Sequence, residues 1–115
     1  MRFLMITNPS ETPPTPEQMA AIGQLTVEMM QSGKVLDTGG IQFHGSEVKY
    51  QDGDFTVTDG PFAEAKELIA GFAIVNAESR EEAFALSQRF FEAAGNGTGE
   101  VRQLFGPDDF KPPVY

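Results

Sequence analysis

The chain has 115 residues, 40% of them hydrophobic, and no cysteine; this is enough for one core without disulfides, and it excludes thiol catalysis and thiolate metal sites. A formal net charge of −9, from 17 acidic and 8 basic residues with no two basic residues adjacent, speaks for solubility and against a phosphate-tracking surface. No apolar run approaches the ~20 residues of a membrane helix, and the first residues are too short an apolar run for a signal peptide. The expectation is therefore one cytoplasmic domain over residues 1–106, with a proline-rich tail at 107–115.

Phe3-Leu4-Met5-Ile6 is an unbroken apolar run, too short for a helix, and predicts a central strand covered on both faces. Four prolines between Asn8 and Pro16 enforce a loop, which ends at Thr15-Pro16-Glu17-Gln18, a hydroxyl at the N-cap with proline first and glutamine third in the helix. Met19, Ile22, Leu25, Met29 and Met30 recur at helical spacing as the buried stripe, and Gly33 stops the helix. Residues 35–43 predict a strand in which Gly39-Gly40 marks a bulge, a bend or a close backbone approach.

Asp52-Gly53 is a two-residue hairpin loop between alternating strands. Counted back from it, Tyr50 faces Phe55 and Val48 faces Val57 on an apolar side, while Lys49 meets Thr56 and Gln51 meets Asp54 on a polar one. The second strand runs into Thr58-Asp59-Gly60-Pro61-Phe62-Ala63-Glu64-Ala65-Lys66-Glu67. Gly60 and Pro61 end the strand, Pro61 suits a first helical position, and the residues after it favour a short helix. Residues 68–75 form a second apolar strand, with Gly71 and Ala73 small enough for close packing. Ser79-Arg80-Glu81-Glu82 opens a second helix with the same type of capping box, and Ala83, Leu86, Phe90 and Ala94, widened by Phe84 and Phe91, form its apolar face. Gly95 and Gly97 end that helix, and residues 101–105 make a last strand.

Two similarly capped β-α-β halves thus enclose an inserted hairpin. The pattern predicts an α+β fold, a ferredoxin-like split β-α-β with an antiparallel sheet and both helices on one face. The sheet's other face is apolar too, and packing against the same face of a second copy, as a homodimer, is the expected cover.

Asp59 at the strand exit admits two readings, a carboxylate working as acid or base, or an Asx-turn residue that is partly buried and accepts a backbone N–H from the turn it begins. His44 is a surface or capping residue or a catalytic one, and no hydrogen bond between it and Asp59 within one subunit is expected. Glu64 and Lys66 are solvated or face a partner, and Phe62 plugs the core or lines an intersubunit cleft. Neither cofactor nor metal is expected, nor direct binding to nucleic acid or membrane.

The run from Val57-Thr58 through Asp59-Gly60-Pro61-Phe62-Ala63-Glu64-Ala65-Lys66-Glu67 to Leu68-Ile69-Ala70-Gly71-Phe72 resembles the signature of the DGPF group of YCII-related proteins. With the capped helix after Ser79 and Glu100-Val101-Arg102-Gln103-Leu104-Phe105, the resemblance covers nearly the whole chain. It implies a dimeric α+β barrel in which two ferredoxin-like sheets pack face to face. It also implies a candidate active site, because a His–Asp pair in a cleft has been proposed for YciI-like proteins. Asp59 matches the acidic member of that pair; no histidine lies in the first helix, and His44 is the chain's one histidine. The family's biochemical role is largely unassigned, and some DGPF proteins are associated with extracytoplasmic-function sigma factors. Two functions follow as expectations: a protein that binds a small molecule or acts on it in a cleft near the motif, or a regulatory interaction protein of a sigma-factor system.

Overall fold

Phe3 and Met5 alternate with Leu4 and Ile6, and this two-residue period decides which side of the sheet receives the helices. The computed structural model describes residues 1–10, 12–42, 44–60 and 69–106. Its elements run β1 (Arg2–Thr7), α1 (Pro16–Gln31), β2 (Val35–Gly40), β3 (Ser46–Gln51), β4 (Asp54–Asp59), β5 (Gly71–Asn76), α2 (Arg80–Ala94) and β6 (Gly99–Gln103). Four strands form one sheet in the order β2-β5-β1-β6, and β3 with β4 forms a separate hairpin. Every pairing is antiparallel. This is the ferredoxin-like α+β arrangement expected of two β-α-β halves, with β1 central.

The core lies between sheet and helices. Phe3, Met5, Val35 and Val75 from the strands meet Met29, Ala83 and Leu86 from the helices, with Leu25, Ala73 and Val101 packed around them. The opposite face presents Leu4, Ile6, Phe72 and Ile74, all half-buried. Ile6 pairs with Phe72 and Leu4 with Ile74, so these four side chains form one apolar patch across the two central strands.

Local chemistry fixes where each helix begins and ends. At α1, the Gln18 N–H donates to Thr15 Oγ1 at 3.1 Å and the Thr15 N–H donates to Gln18 Oε1 at 2.9 Å, the full reciprocal box. Gly33, at φ 77°, ends it. The N–H groups of Gly33 and Lys34 then reach the carbonyls of Met30 and Met29, a Schellman closure. At α2 only half of the expected box forms. The Glu82 N–H donates to Ser79 Oγ at 3.1 Å, but the Glu82 carboxylate turns away, accepting from the Glu78 N–H at 3.2 Å and from Lys34 Nζ at 2.5 Å. A cation just before β2 competes for that carboxylate and joins the end of one β-α-β half to the start of the next helix.

Three other expectations change. Met19 and Met30 are exposed, because Ile22, Leu25 and Met29 already fill the side of α1 that meets the sheet. Phe84 is exposed on α2 with the Arg80 guanidinium 5.5 Å from its ring centroid, so it does not widen the core stripe. The irregularity in β2 falls between Val35 and Asp37 rather than at the glycines. Of the three alternatives for the glycines, a close approach is what Gly39 provides, since a Cβ there would lie 3.3 Å from the Phe72 ring. The tail from residue 107 lies outside the described residues.

The Lys34–Glu82 pair makes stability depend on pH. The hydrogen bond from Lys34, with the Glu78 N–H, holds the Glu82 carboxyl below its usual range, and the bond to Glu82 holds the Lys34 ammonium above its own. A lowered carboxyl pKa contributes stability that is complete above the unfolded pKa and is lost as pH falls through the folded one. Glu82→Gln is therefore expected to melt below the parent at neutral pH, with the gap closing below about pH 4, near the carboxylate's unperturbed range. Melting curves across that window check this, and a gap that persists in acid contradicts it.

Candidate functional site at the hairpin base

The hairpin turns where both of its central residues take positive φ, Asp52 at 53° and Gly53 at 86°. Aspartate tolerates this region better than most residues and glycine enters it without cost, so the pair favours a primed turn that matches strand twist. The register expected from the turn is found: Gln51 opposite Asp54, Tyr50 opposite Phe55, Lys49 opposite Thr56 and Val48 opposite Val57. The ladder continues through Glu47 and Thr58 to Ser46 and Asp59, and beyond them the Gly60 N–H donates to the Gly45 carbonyl at 2.7 Å.

Alternation sorts these pairs onto two faces. Ser46, Val48, Tyr50, Phe55, Val57 and Asp59 share one, while Glu47, Lys49, Gln51, Asp54, Thr56 and Thr58 share the other. The first face is apolar along its length and polar at its base. There, Ser46 Oγ donates to Asp59 Oδ1 at 2.7 Å. The bond engages one carboxylate oxygen and favours the rotamer that makes it.

Asp59 is exposed, not partly buried as expected. The reason is that, among the described residues, β4 pairs only with β3, in a hairpin separate from the core sheet. Its described side-chain partner is the Ser46 hydroxyl, and no hydrogen bond or ion pair joins it to His44. His44 is exposed and stands two residues before Ser46. No bond between His44 and Asp59 was expected, and none is found, although the ladder brings both to the same end of the hairpin. Gly60 is half-buried directly after Asp59. Pro61, Phe62, Glu64 and Lys66, with the short helix expected there, lie outside the described residues.

Sequence reasoning missed Ser46. The signal was present, because the register counted from Asp52-Gly53 to Val48 and Val57 reaches Ser46 and Asp59 one same-face step later. Chemically the base of the hairpin offers an oriented carboxylate, a hydroxyl and a nearby imidazole, all open to solvent. These are groups able to accept and donate protons or to hydrogen-bond a polar ligand. Among the described residues no three acidic, imidazole or thiol groups gather as a metal site. Two shallow grooves, of about 310 and 780 Å³, lie along the helices and include neither His44 nor Asp59.

Three comparisons bear on this arrangement. A family model described as a YCII-related domain matches residues 1–107. No curated protein matches the sequence. Among solved structures, the chain is similar to 5-chloro-2-hydroxyhydroquinone dehydrochlorinase (TftG) from Burkholderia phenoliruptrix AC1100 in complex with 2,5-dihydroxybenzoquinone. The identity is 16%, with 94% of this chain and 97% of that chain covered and a TM-score of 0.48.

Because the Ser46–Asp59 bond is open to water, its net worth is expected to be small. Ser46→Ala and Asp59→Ala should each cost less than about 1 kcal/mol, and a double-mutant cycle by urea unfolding should leave a coupling of about 0.5 kcal/mol. Strictly additive costs would mean that the two side chains do not meet in solution.

Proposed function

The chain belongs to the YCII-related family, and on that premise we propose that it is a homodimer that binds a small molecule, or acts on one, in a cleft beside the Asp59-Gly60-Pro61-Phe62 motif. The observation that carries this reading is the 2.7 Å bond from Ser46 to Asp59, which presents an oriented carboxylate at a strand end, a place where ligand sites form. In this reading Asp59 accepts a ligand proton or hydrogen bond and Ser46 fixes its rotamer. His44, at the same end of the hairpin, supplies a second group able to hydrogen-bond a polar ligand. Gly60, Pro61, Phe62, Glu64 and Lys66 are assigned to the same cleft as residues of the motif.

The homodimer follows from packing. Among the described residues two helices cover one side of the four-stranded sheet, and Leu4, Ile6, Phe72 and Ile74 make the middle of the other side apolar between Asp37 on one flank and Glu100 and Arg102 on the other, so the open faces of two copies can cover each other there. A second reading, a regulatory protein of an extracytoplasmic-function sigma-factor system, rests on the formal charge of −9, which favours a basic partner.

Thermal-shift screening of the full chain against a metabolite library separates the two. The first reading expects at least one compound whose stabilisation rises with the logarithm of its concentration, reaching about 2.7 kcal/mol at a hundredfold excess over Kd. Asp59→Asn is expected to weaken that compound by about tenfold or more, corresponding to ~1.4 kcal/mol. A library without effect, or a shift unchanged by Asp59→Asn, contradicts the assignment of the site.

A further inference from the structure

We propose that the β3–β4 hairpin is an intersubunit arm: its Val48, Tyr50, Phe55 and Val57 face is covered by a second copy of this chain, and the arm sets Ser46 and Asp59 at the boundary between the two. The inference rests on the homodimer reading and adds to it a second contact and a site that is incomplete in one subunit.

The exposures are what require a cover. Tyr50 is 73% exposed, Phe55 63%, Val48 61% and Val57 56%, the four forming two directly opposed cross-strand pairs on one face. Scattered exposed apolar residues need no explanation, but a contiguous stripe of aromatic and β-branched side chains does. An isolated two-stranded hairpin is also marginal in water, and here the ladder is complete from the turn to its base, over six pairs. Such an element persists when its apolar face is packed.

Three observations favour a second copy over another partner. The stripe carries no charge along its length, and Asp59 stands only at its base, so two acidic chains meet there without opposing like charges. The area also fits. With ~150–250 Å² for a whole aromatic side chain, Tyr50 and Phe55 leave roughly 250 Å² in water, and the valines raise the stripe to roughly half of the ~800 Å² per partner of a standard interface. The open sheet face with Leu4, Ile6, Phe72 and Ile74 supplies further apolar area, so the two surfaces together come nearer to that size than either does alone. The dimensions agree as well, since a hairpin of six-residue strands is ~20 Å long, enough to reach across a neighbouring four-stranded sheet at ~4.8 Å per strand. An interface of this kind is isologous, each copy giving an arm and receiving one.

Sedimentation of the full chain at low micromolar concentration tests the arm, using Phe55→Glu and Val57→Glu on the apolar face and Thr56→Glu on the polar face as control. The parent and Thr56→Glu are expected to be dimers. Phe55→Glu and Val57→Glu are expected to dissociate with a Kd at least about tenfold higher, with an unchanged circular dichroism spectrum because neither side chain belongs to the core. Should a charged variant lose its fold, the double variant Val48→Thr, Val57→Thr keeps strand-favouring residues and is expected to show the same dissociation. A dimer as tight in these variants as in the parent overturns the arm and leaves the homodimer standing. A monomeric parent overturns both.

Discussion

Two helices can cover one face of a four-stranded sheet, and in this chain that limit organises everything else. The alternation in β1 and β5 sends Phe3, Met5, Ala73 and Val75 toward α1 and α2, where Met29, Ala83 and Leu86 receive them. The same alternation sends Leu4, Ile6, Phe72 and Ile74 the other way, where no helix among the described residues meets them. Local chemistry fixes where α1 begins and ends, through the reciprocal bonds of Thr15 with Gln18 and the Schellman closure at Gly33. Between the halves, the Lys34–Glu82 contact ties the approach to β2 to the first turn of α2. It diverts the carboxylate that would otherwise have completed a second capping box.

The inserted hairpin has a different physical basis. It owes its register to Asp52 and Gly53, and among the described residues no third strand lies beside it. Because side chains in a strand alternate, a slip of one residue would send Asp59 to the face of Lys49 and Thr56 and bury the meaning of the apolar stripe. The turn thus determines, from six residues away, that Ser46 and Asp59 point the same way and meet. The geometry at the base of the hairpin depends on a backbone conformation at its turn.

Much of this was legible in the sequence. The strand order followed from two β-α-β halves, the helix starts from Thr15 and Ser79, and the cross-strand pairs from the Asp52-Gly53 turn, because each is set by interactions within a few residues. What was not legible depended on contacts distant in sequence. Glu82 satisfied the capping pattern, but Lys34, 48 residues away, captured its carboxylate. Met19, Met30 and Phe84 had helical spacing, yet spacing alone does not say how wide a stripe the sheet can cover. Asp59 looked half-buried because strand exits often are, but β4 belongs to the hairpin and not to the main sheet. The Ser46–Asp59 pair was within reach of the register and was missed only because the count stopped at Val48 and Val57.

The central claim is that the hairpin is a covered element, closed by a second copy and thereby able to hold its base in a fixed geometry. Amide hydrogen exchange over residues 46–60, followed at protein concentrations above and below the dimer dissociation constant, tests this most directly. The account predicts that these amides are protected together in the dimer and lose their protection together on dilution. Exchange close to that of an unstructured peptide at every concentration, or protection indifferent to dilution, would contradict it.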